Sequence, residues 1–548
     1  MMFVSVLFLC LLHVLWVQLC GSLQTSGPGP LPNGVENHSK TRDAKEKSLS
    51  ILMVTGYFPG HLYPITALGE ELVKRGHNVT LCATVMEGSD LLPGLPESCG
   101  IKFVSAGFDN LTQADYDNMV REFQNASILL VRKFFSIAQW PMVKIRSKID
   151  EIGVEQFDYI ISDFSVNTVG VYCSRLGKKV MILSPLFVHM DATKPEWPSP
   201  TISTSLSDDL TFFSRLVNMI VDSILQLFQN TVFSGVVHLD EAYNRVLKGV
   251  DISAYIGIRI PFVMATAFGF GYPKTRYPLT HYVGPLMMDS FSSLEDQLVE
   301  WLSNKPNKSV IYVGFGATGF ITADMAQLVI DGILATDFSA VWALPMSDQA
   351  VLEGIDVNKD RLYISKWIPR QTLFQHPTLL MTLIHCAMNS VQESLYNALP
   401  IVCVPHGFDH FDVATRVASA KVGIPLYSMM DSLRQGKVFT SENVTNAIKT
   451  ITETKEYREQ ANKIRQIFLF AGGARRAADL VEFYAEVGYD HLIPAYAKYE
   501  WSCVQYYNLD VYCVLLLLSF LVLYCSYKLL KCCCKCCCSS NLSKPKVE

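Results

Sequence analysis

A strand, helix, strand rhythm that runs twice along the chain limits the fold more than any other feature of this sequence. Ser50–Thr55 (SILMVT) is an unbroken apolar run of strand length, residues 64–75 carry Leu68, Leu72 and Val73 at helical spacing up to Gly76, and residues 78–83 form a second strand. Parallel neighbours need a crossover long enough to return over a face of the sheet, so this order implies a parallel sheet. Residues 158–162 and 179–183 add strands to it. The pattern restarts with a strand at 309–313, a helix at 325–334, and strands at 340–344, 379–384 and 401–405. The expected architecture is α/β, with two Rossmann-like domains facing each other, an N-terminal one over 22–285 and a C-terminal one over 286–490. A ligand cleft is expected between them, at the carboxyl ends of the strands.

Both ends of the chain are apolar. Residues 1–21 read as a signal peptide, closing on the small residues Cys20, Gly21 and Ser22, although no Lys or Arg precedes Lys40. After a juxtamembrane linker at 491–510, residues 511–527 hold no charge and reach the length of a membrane span. Asp510 precedes this span and Lys528, Lys531 and Lys535 follow it, so the tail, 528–548, is expected in the cytosol. The chain then reads as a single-pass type I protein of the endoplasmic reticulum membrane, its main part lumenal. Lys544 and Lys546 near the terminus resemble a dilysine retrieval signal.

Cysteine placement argues against a disulfide scaffold, because only Cys82, Cys99, Cys173, Cys386, Cys403 and Cys503 fall in the lumenal part. The tail run Cys532 to Cys538 abuts the span without a histidine, which favours S-acylation over metal binding. Sequons begin at Asn37, Asn78, Asn110, Asn125, Asn307 and Asn443, with Asn78 expected to be shielded inside a strand. Charged residues make up 18% of the chain and the net charge is −5, so no basic field exists to attract nucleic acid. Phe212, Phe213, Leu216, Val217, Ile220, Ile224, Leu227 and Phe228 recur at helical spacing, as in a core or lid helix, with membrane contact as the alternative. Asp115-Tyr116-Asp117 follows no strand and reads as a solvated loop rather than a metal site.

The segment from Trp367 to His410 carries most of the chemistry. A strand ends at Ile384, and the turn beginning at His385 leads into a helix near Asn389. The first turn of such a helix presents free N–H groups and about half a positive charge, which suits a diphosphate. Asn389 and Ser390 add donors, Glu393 can accept from ribose hydroxyls, and Trp367 offers a flat face to a base. His61 and Asp163 each follow a strand of the first half, at its carboxyl edge.

This segment resembles the signature of the UDP-glycosyltransferases, and the lumenal part is similar to the animal UDP-glucuronosyltransferase family from Ser50 through EFYAEVGYDHL to the C-terminal span. The resemblance implies a GT-B fold and a UDP-sugar site: Trp367 on uracil, His385, Asn389 and Ser390 on the diphosphate, Glu393 on ribose, Asp409 and His410 on the sugar. Gly316 and Gln371 are counted with these donor-site residues. It also implies that His61 deprotonates the acceptor and that Asp163 orients the imidazole. The expected reaction is inverting, metal-independent transfer of a hexose to a small lipophilic acceptor, with the UDP-sugar as co-substrate and no further cofactor. His385 and the helix N-terminus are expected to neutralise the leaving diphosphate. Membrane contact is expected, and a second copy of the chain is a candidate partner.

The sequence departs from the family pattern in several places. Cys386-Ala387 stands where Gly-Gly or Cys-Gly is usual, and the Ala387 methyl is expected to crowd the phosphate. Arg370 occupies the place of the motif glutamine, with Gln371 one position late, and Gly314 and Ala317 replace hydroxyl residues. These departures motivate a second reading, a catalytically impaired homologue that binds UDP-sugars. A third, a flavin or nicotinamide enzyme, comes from GFGATG at 314–319, but no acidic residue closes the next strand. The motif ends Asp409-His410 instead of Asp-Gln, which predicts UDP-galactose or UDP-glucose ahead of UDP-glucuronate.

Overall fold

The structure is a computed structural model of the chain. It describes residues 48–56, 59–87, 98–112, 140–185, 211–213, 215–216, 220, 246–247, 256–273, 276–289, 292–316, 321–355, 357–406, 409–428, 431, 439–499 and 502–539. The signal peptide, Asn37, Asn125, the Asp115 to Asp117 loop, Ala317 and the lysines near the terminus lie outside these residues.

Two parallel sheets dominate. The first contains β1 (Ser50–Thr55), β2 (Asn78–Glu87), β3 (Lys102–Thr112), β4 (Tyr159–Asp163), β5 (Val180–Ser184), β6 (Phe262–Met264) and β7 (Thr280–Tyr282), in the order β3-β2-β1-β4-β5-β6-β7. The second contains β8 (Val310–Gly314), β9 (Ser339–Ala343), β10 (Leu362–Ser365), β11 (Leu379–Ile384), β12 (Ile401–Cys403) and β13 (Gly423–Pro425), in the order β10-β9-β8-β11-β12-β13. Strands such as β1, β4, β5 and β8 are apolar on both faces because helices cover both sides of each sheet. Each strand order reverses once, between β1 and β4 and between β8 and β11. Chains leaving the sheet part in opposite directions there, which opens a crevice at the carboxyl edge.

The halves are tied together at the back. Helix Gly473–Val487 follows the second sheet in sequence, yet its Ala477, Ala478, Val481 and Tyr484 are buried in one cluster with Ile51, Met53, Leu68 and Leu72 of the first half. Arg75 anchors it, with Nη1 2.9 Å from Asp479 and 2.7 Å from Glu482. Helix Leu509–Ser539 belongs to a separate compact unit. Its stretch Leu509–Cys532 has 24 residues, and the most apolar 18 of them have a mean hydropathy of 2.2. At about 1.5 Å per residue that exceeds a hydrocarbon core of about 30 Å.

Three expectations are corrected. The first helix is Pro59–Lys74, so Pro64 lies inside it and does not open it. Asn78 is exposed, and it is the first residue of β2 rather than an interior one. Phe212 and Phe213 are exposed and not in a core; Val217, Ile224, Leu227 and Phe228 lie outside the described residues.

Candidate active site

Both switch points carry the residues singled out by sequence. At the first, β1 leads into helix Pro59–Lys74, whose first turn holds His61, while β4 ends on Asp163. His61 Nδ1 lies 2.8 Å from Asp163 Oδ1. The same Oδ1 accepts from the Ser165 backbone N–H at 2.7 Å, which fixes the carboxylate across the end of the strand. An ionised carboxylate only accepts, so Nδ1 carries the proton and Nε2 is the basic nitrogen. Burial alone would lower the His61 pKa, but the charge and hydrogen bond of Asp163, with a contribution from Asp409, hold it above the ordinary histidine value.

Pro64 explains how the halves meet here. Proline has no N–H to give the carbonyl four residues back, so the Gly60 oxygen is released from the helical ladder. Asn389 Nδ2, from the second half, donates to that oxygen. A second link lies nearby, where Gln392 Nε2 donates to the Ala265 carbonyl at 2.8 Å.

At the second switch point, β8 runs into Gly314 and Gly316, and β11 into His385. Gly316 has φ +66° and its backbone presses on the imidazole, so an added Cβ would lie 2.6 Å from His385 Cε1. His385 is buried, and desolvation, with the His406 and Arg370 charges, pushes its pKa down to about 3. It is therefore neutral and offers a hydrogen bond, not the positive charge expected for the diphosphate. Cys386 follows with φ +62° and is bonded to Cys403 at the end of β12. Ala387 has φ −63° and ψ 142°, an ordinary extended conformation, just before helix Met388–Tyr396. The left-handed position is thus Cys386, and the disulfide holds it.

Arg370, expected only as a departure, is central to the donor side. Its Nη1 donates to Ser390 Oγ at 3.0 Å, its Nη2 donates to Glu393 Oε1 at 3.1 Å, and its Nε stands 3.0 Å from Oε2. Gln371 takes no part in these hydrogen bonds. Trp367 is half exposed on the loop after β10, its indole open to a stacking partner.

Asp409 stands immediately before helix His410–Ser419, its carboxyl near the backbone N–H groups of Met388 and of Asp409 itself. Burial and the nearby Asp412 charge raise its pKa to about 6 against the opposing pull of those N–H groups and His61. His410 is buried edge to face against His385, with centroids 4.8 Å apart, and its Nδ1 accepts from the His406 N–H at 3.3 Å. Asp163 Oδ2, His385 Nδ1, Glu393 Oε2 and Asp409 Oδ2 are all buried and make no hydrogen bond. Buried polar atoms in this condition are costly unless a ligand completes them.

The sequence profile described as UDP-glucoronosyl and UDP-glucosyl transferase matches residues 52–544. The chain belongs to this family. The UDP-glycosyltransferase assignment agrees with mouse (Mus musculus) 2-hydroxyacylsphingosine 1-beta-galactosyltransferase, 24% identical over 84% of each chain. Rabbit (Oryctolagus cuniculus) UDP-glucuronosyltransferase 1A4 is 21% identical over 86% of each. The calicheamicin glycosyltransferase CalG4 superposes with a TM-score of 0.57 at 18% identity, covering 80% of this chain and 98% of its own. Os79 from O. sativa, solved in complex with UDP, gives 0.55 at 14% identity, covering 80% and 100%. These likenesses establish the GT-B fold, and the dinucleotide-enzyme reading of GFGATG is set aside.

Sequence reasoning on this UDP-glycosyltransferase missed the partners of its motif residues. Tyr312 and Tyr63 both lie near enough to Arg370 to bear on its charge. No periodicity announces either. The pairing of Cys386 with Cys403 was readable only in part, since both close neighbouring strands.

Proposed function

We propose that the chain transfers a hexose from a UDP-sugar, with inversion, to the hydroxyl of a small lipophilic acceptor, with His61 as general base and Asp163 as its partner. The reading rests on the 2.8 Å bond between them at the first switch point, facing Asp409 of the donor half. His61 Nε2 takes the acceptor proton while the acceptor oxygen bonds to the anomeric carbon from the face opposite the diphosphate. The bond from that carbon to the diphosphate oxygen breaks and UDP leaves. Asp163 stabilises the imidazolium, as in a catalytic triad. The leaving diphosphate is met by the N-terminus of helix Met388–Tyr396 and by hydrogen bonding from neutral His385. We place the catalytic part in the reticulum lumen, on the charge asymmetry about the apolar helix Leu509–Cys532.

The hold of Arg370 on Ser390 and Glu393 favours one alternative, a homologue that binds UDP-sugars without turnover. Purified full-length chain in detergent, offered UDP-galactose, UDP-glucose and UDP-glucuronate with phenolic, steroid and sphingolipid acceptors, tests both. Acceptor-dependent UDP release supports the enzyme. UDP binding with no release across the panel supports the alternative.

A further inference from the structure

We propose that Arg370 is a positioning residue of the donor site, holding Glu393 as a fixed, ionised acceptor for the ribose hydroxyls and tying it to Ser390 on the diphosphate side. This rests on the UDP-sugar reading above. The guanidinium spends its donors on protein groups, Nη1 on Ser390 Oγ at 3.0 Å and Nη2 on Glu393 Oε1 at 3.1 Å. It acts through them. Glu393 Oε2 is 3.0 Å from Nε and is buried, yet accepts no hydrogen bond, so one acceptor position of a fixed carboxylate is left for a hydroxyl.

Two departures from the family pattern form one linked cluster here. An added Cβ at Gly314 would run into Tyr312 Oη, so glycine at 314 gives that side chain its place. The Tyr312 side chain in turn stands close enough to Arg370 to feel its charge. Arg370 stands where the family has glutamine, and an uncharged amide could not balance the Glu393 carboxylate. The glycine at 314, which replaces a hydroxyl residue of the family pattern, thus makes room for the tyrosine beside the arginine.

Charge decides what the arrangement is for. Glu393 is 7% exposed, and burial raises its pKa above the ordinary carboxylate value, with the Arg370 charge opposing the rise. The other charged or titratable groups facing the cluster are Tyr63 from helix Pro59–Lys74, Tyr312 from β8 and His385 from the turn after β11. The tyrosines stay neutral because burial raises their pKa, and His385 stays neutral because burial lowers its own. Arg370 is therefore the cation that keeps Glu393 ionised. A buried carboxylate deprived of its cation takes up a proton near neutral pH.

The test measures UDP affinity of full-length wild type, Arg370→Gln and Arg370→Lys by calorimetry from pH 6 to pH 8, reading the ratio of wild-type to variant affinity at each pH. For Arg370→Gln that ratio is expected to be about 10 or more at pH 6 and to shrink several-fold by pH 8, as Glu393 ionises. Arg370→Lys retains the charge but not the fork, so its ratio should be smaller and flat with pH. In a Glu393→Gln background, Arg370→Gln should add no pH dependence. A ratio for Arg370→Gln that is the same at every pH, in wild type that binds UDP, overturns the inference and leaves the donor-site reading standing. Wild type that binds no UDP overturns that reading and this inference with it.

Discussion

At the first switch point two side chains meet in one hydrogen bond, His61 from the first turn of helix Pro59–Lys74 and Asp163 from the end of β4. At the second, Gly316, His385, Cys386, Arg370, Ser390, Glu393 and Asp409 hold one another through a disulfide, an ion pair and close packing. A base needs one partner and an orientation. A nucleotide sugar presents a base, a ribose, two phosphates and a hexose, so its site needs many groups held at fixed spacing. Single substitutions should therefore act sharply in the first region and be partly absorbed in the second.

The largest expected effect is in the first region. His61→Ala should lower the transfer rate by about 10² to 10⁴ while leaving UDP affinity within about twofold, since a general base makes no donor contact. Asp163→Asn adds a pH readout. In the wild type Asp163 raises the His61 pKa, so activity should fall as the pH drops through that raised value and the base is protonated. With Asn the opposing effect of burial remains, and the acid limb of kcat/KM should move to lower pH. An unmoved limb would detach Asp163 from the base.

Next comes the left-handed turn. With Cys403→Ala in both proteins, Cys386→Gly should be more stable than Cys386→Ala by about 1 kcal/mol, because φ +62° costs a residue with a Cβ and not glycine. Thermal unfolding of the two double variants decides it. Equal midpoints would mean that the turn relaxes once the disulfide is gone. Ala387→Gly should be milder and leave UDP affinity within about twofold, since Ala387 is in extended backbone and a glycine mainly adds unfolded-state entropy. A large gain in UDP affinity would bear out the expectation that its methyl crowds the phosphate.

What the sequence made legible follows the same division. Strand and helix periods announced the two sheets, and the motif announced which residues stand at their carboxyl edges. Periodicity gave no notice that Pro64 would lie inside a helix, because the lost hydrogen bond is replaced from the other half, by Asn389 on the Gly60 carbonyl. Nor could it show Arg370 reaching Glu393, since a long side chain takes its partner from tertiary packing. The residues that broke the expected pattern at 314 and 370 have their partners in the fold, Tyr312 and Glu393, and Cys386 beside the departure at 387 has Cys403.

The smallest expected effect concerns the donor sugar. His410 Nδ1 accepts from the His406 N–H at 3.3 Å, which leaves the proton on Nε2. Burial keeps the ring neutral, with the His385 and His406 charges acting in the same direction. A neutral imidazole in this tautomer has no acceptor left to offer, whereas a glutamine amide both donates and accepts. Asp409 beside it can take equatorial hydroxyls of either glucose or galactose, and a glucuronate carboxylate would face Asp409 without an adjacent cation in the sequence. UDP-galactose or UDP-glucose should accordingly be used ahead of UDP-glucuronate, and His410→Gln should shift the ratio of galactose to glucose transfer toward glucose by about threefold to tenfold, the scale of one hydrogen bond. Competition among the three donors measures both. Preference for UDP-glucuronate in the wild type would remove the argument from Asp409, and an unchanged ratio in His410→Gln would remove the one from His410.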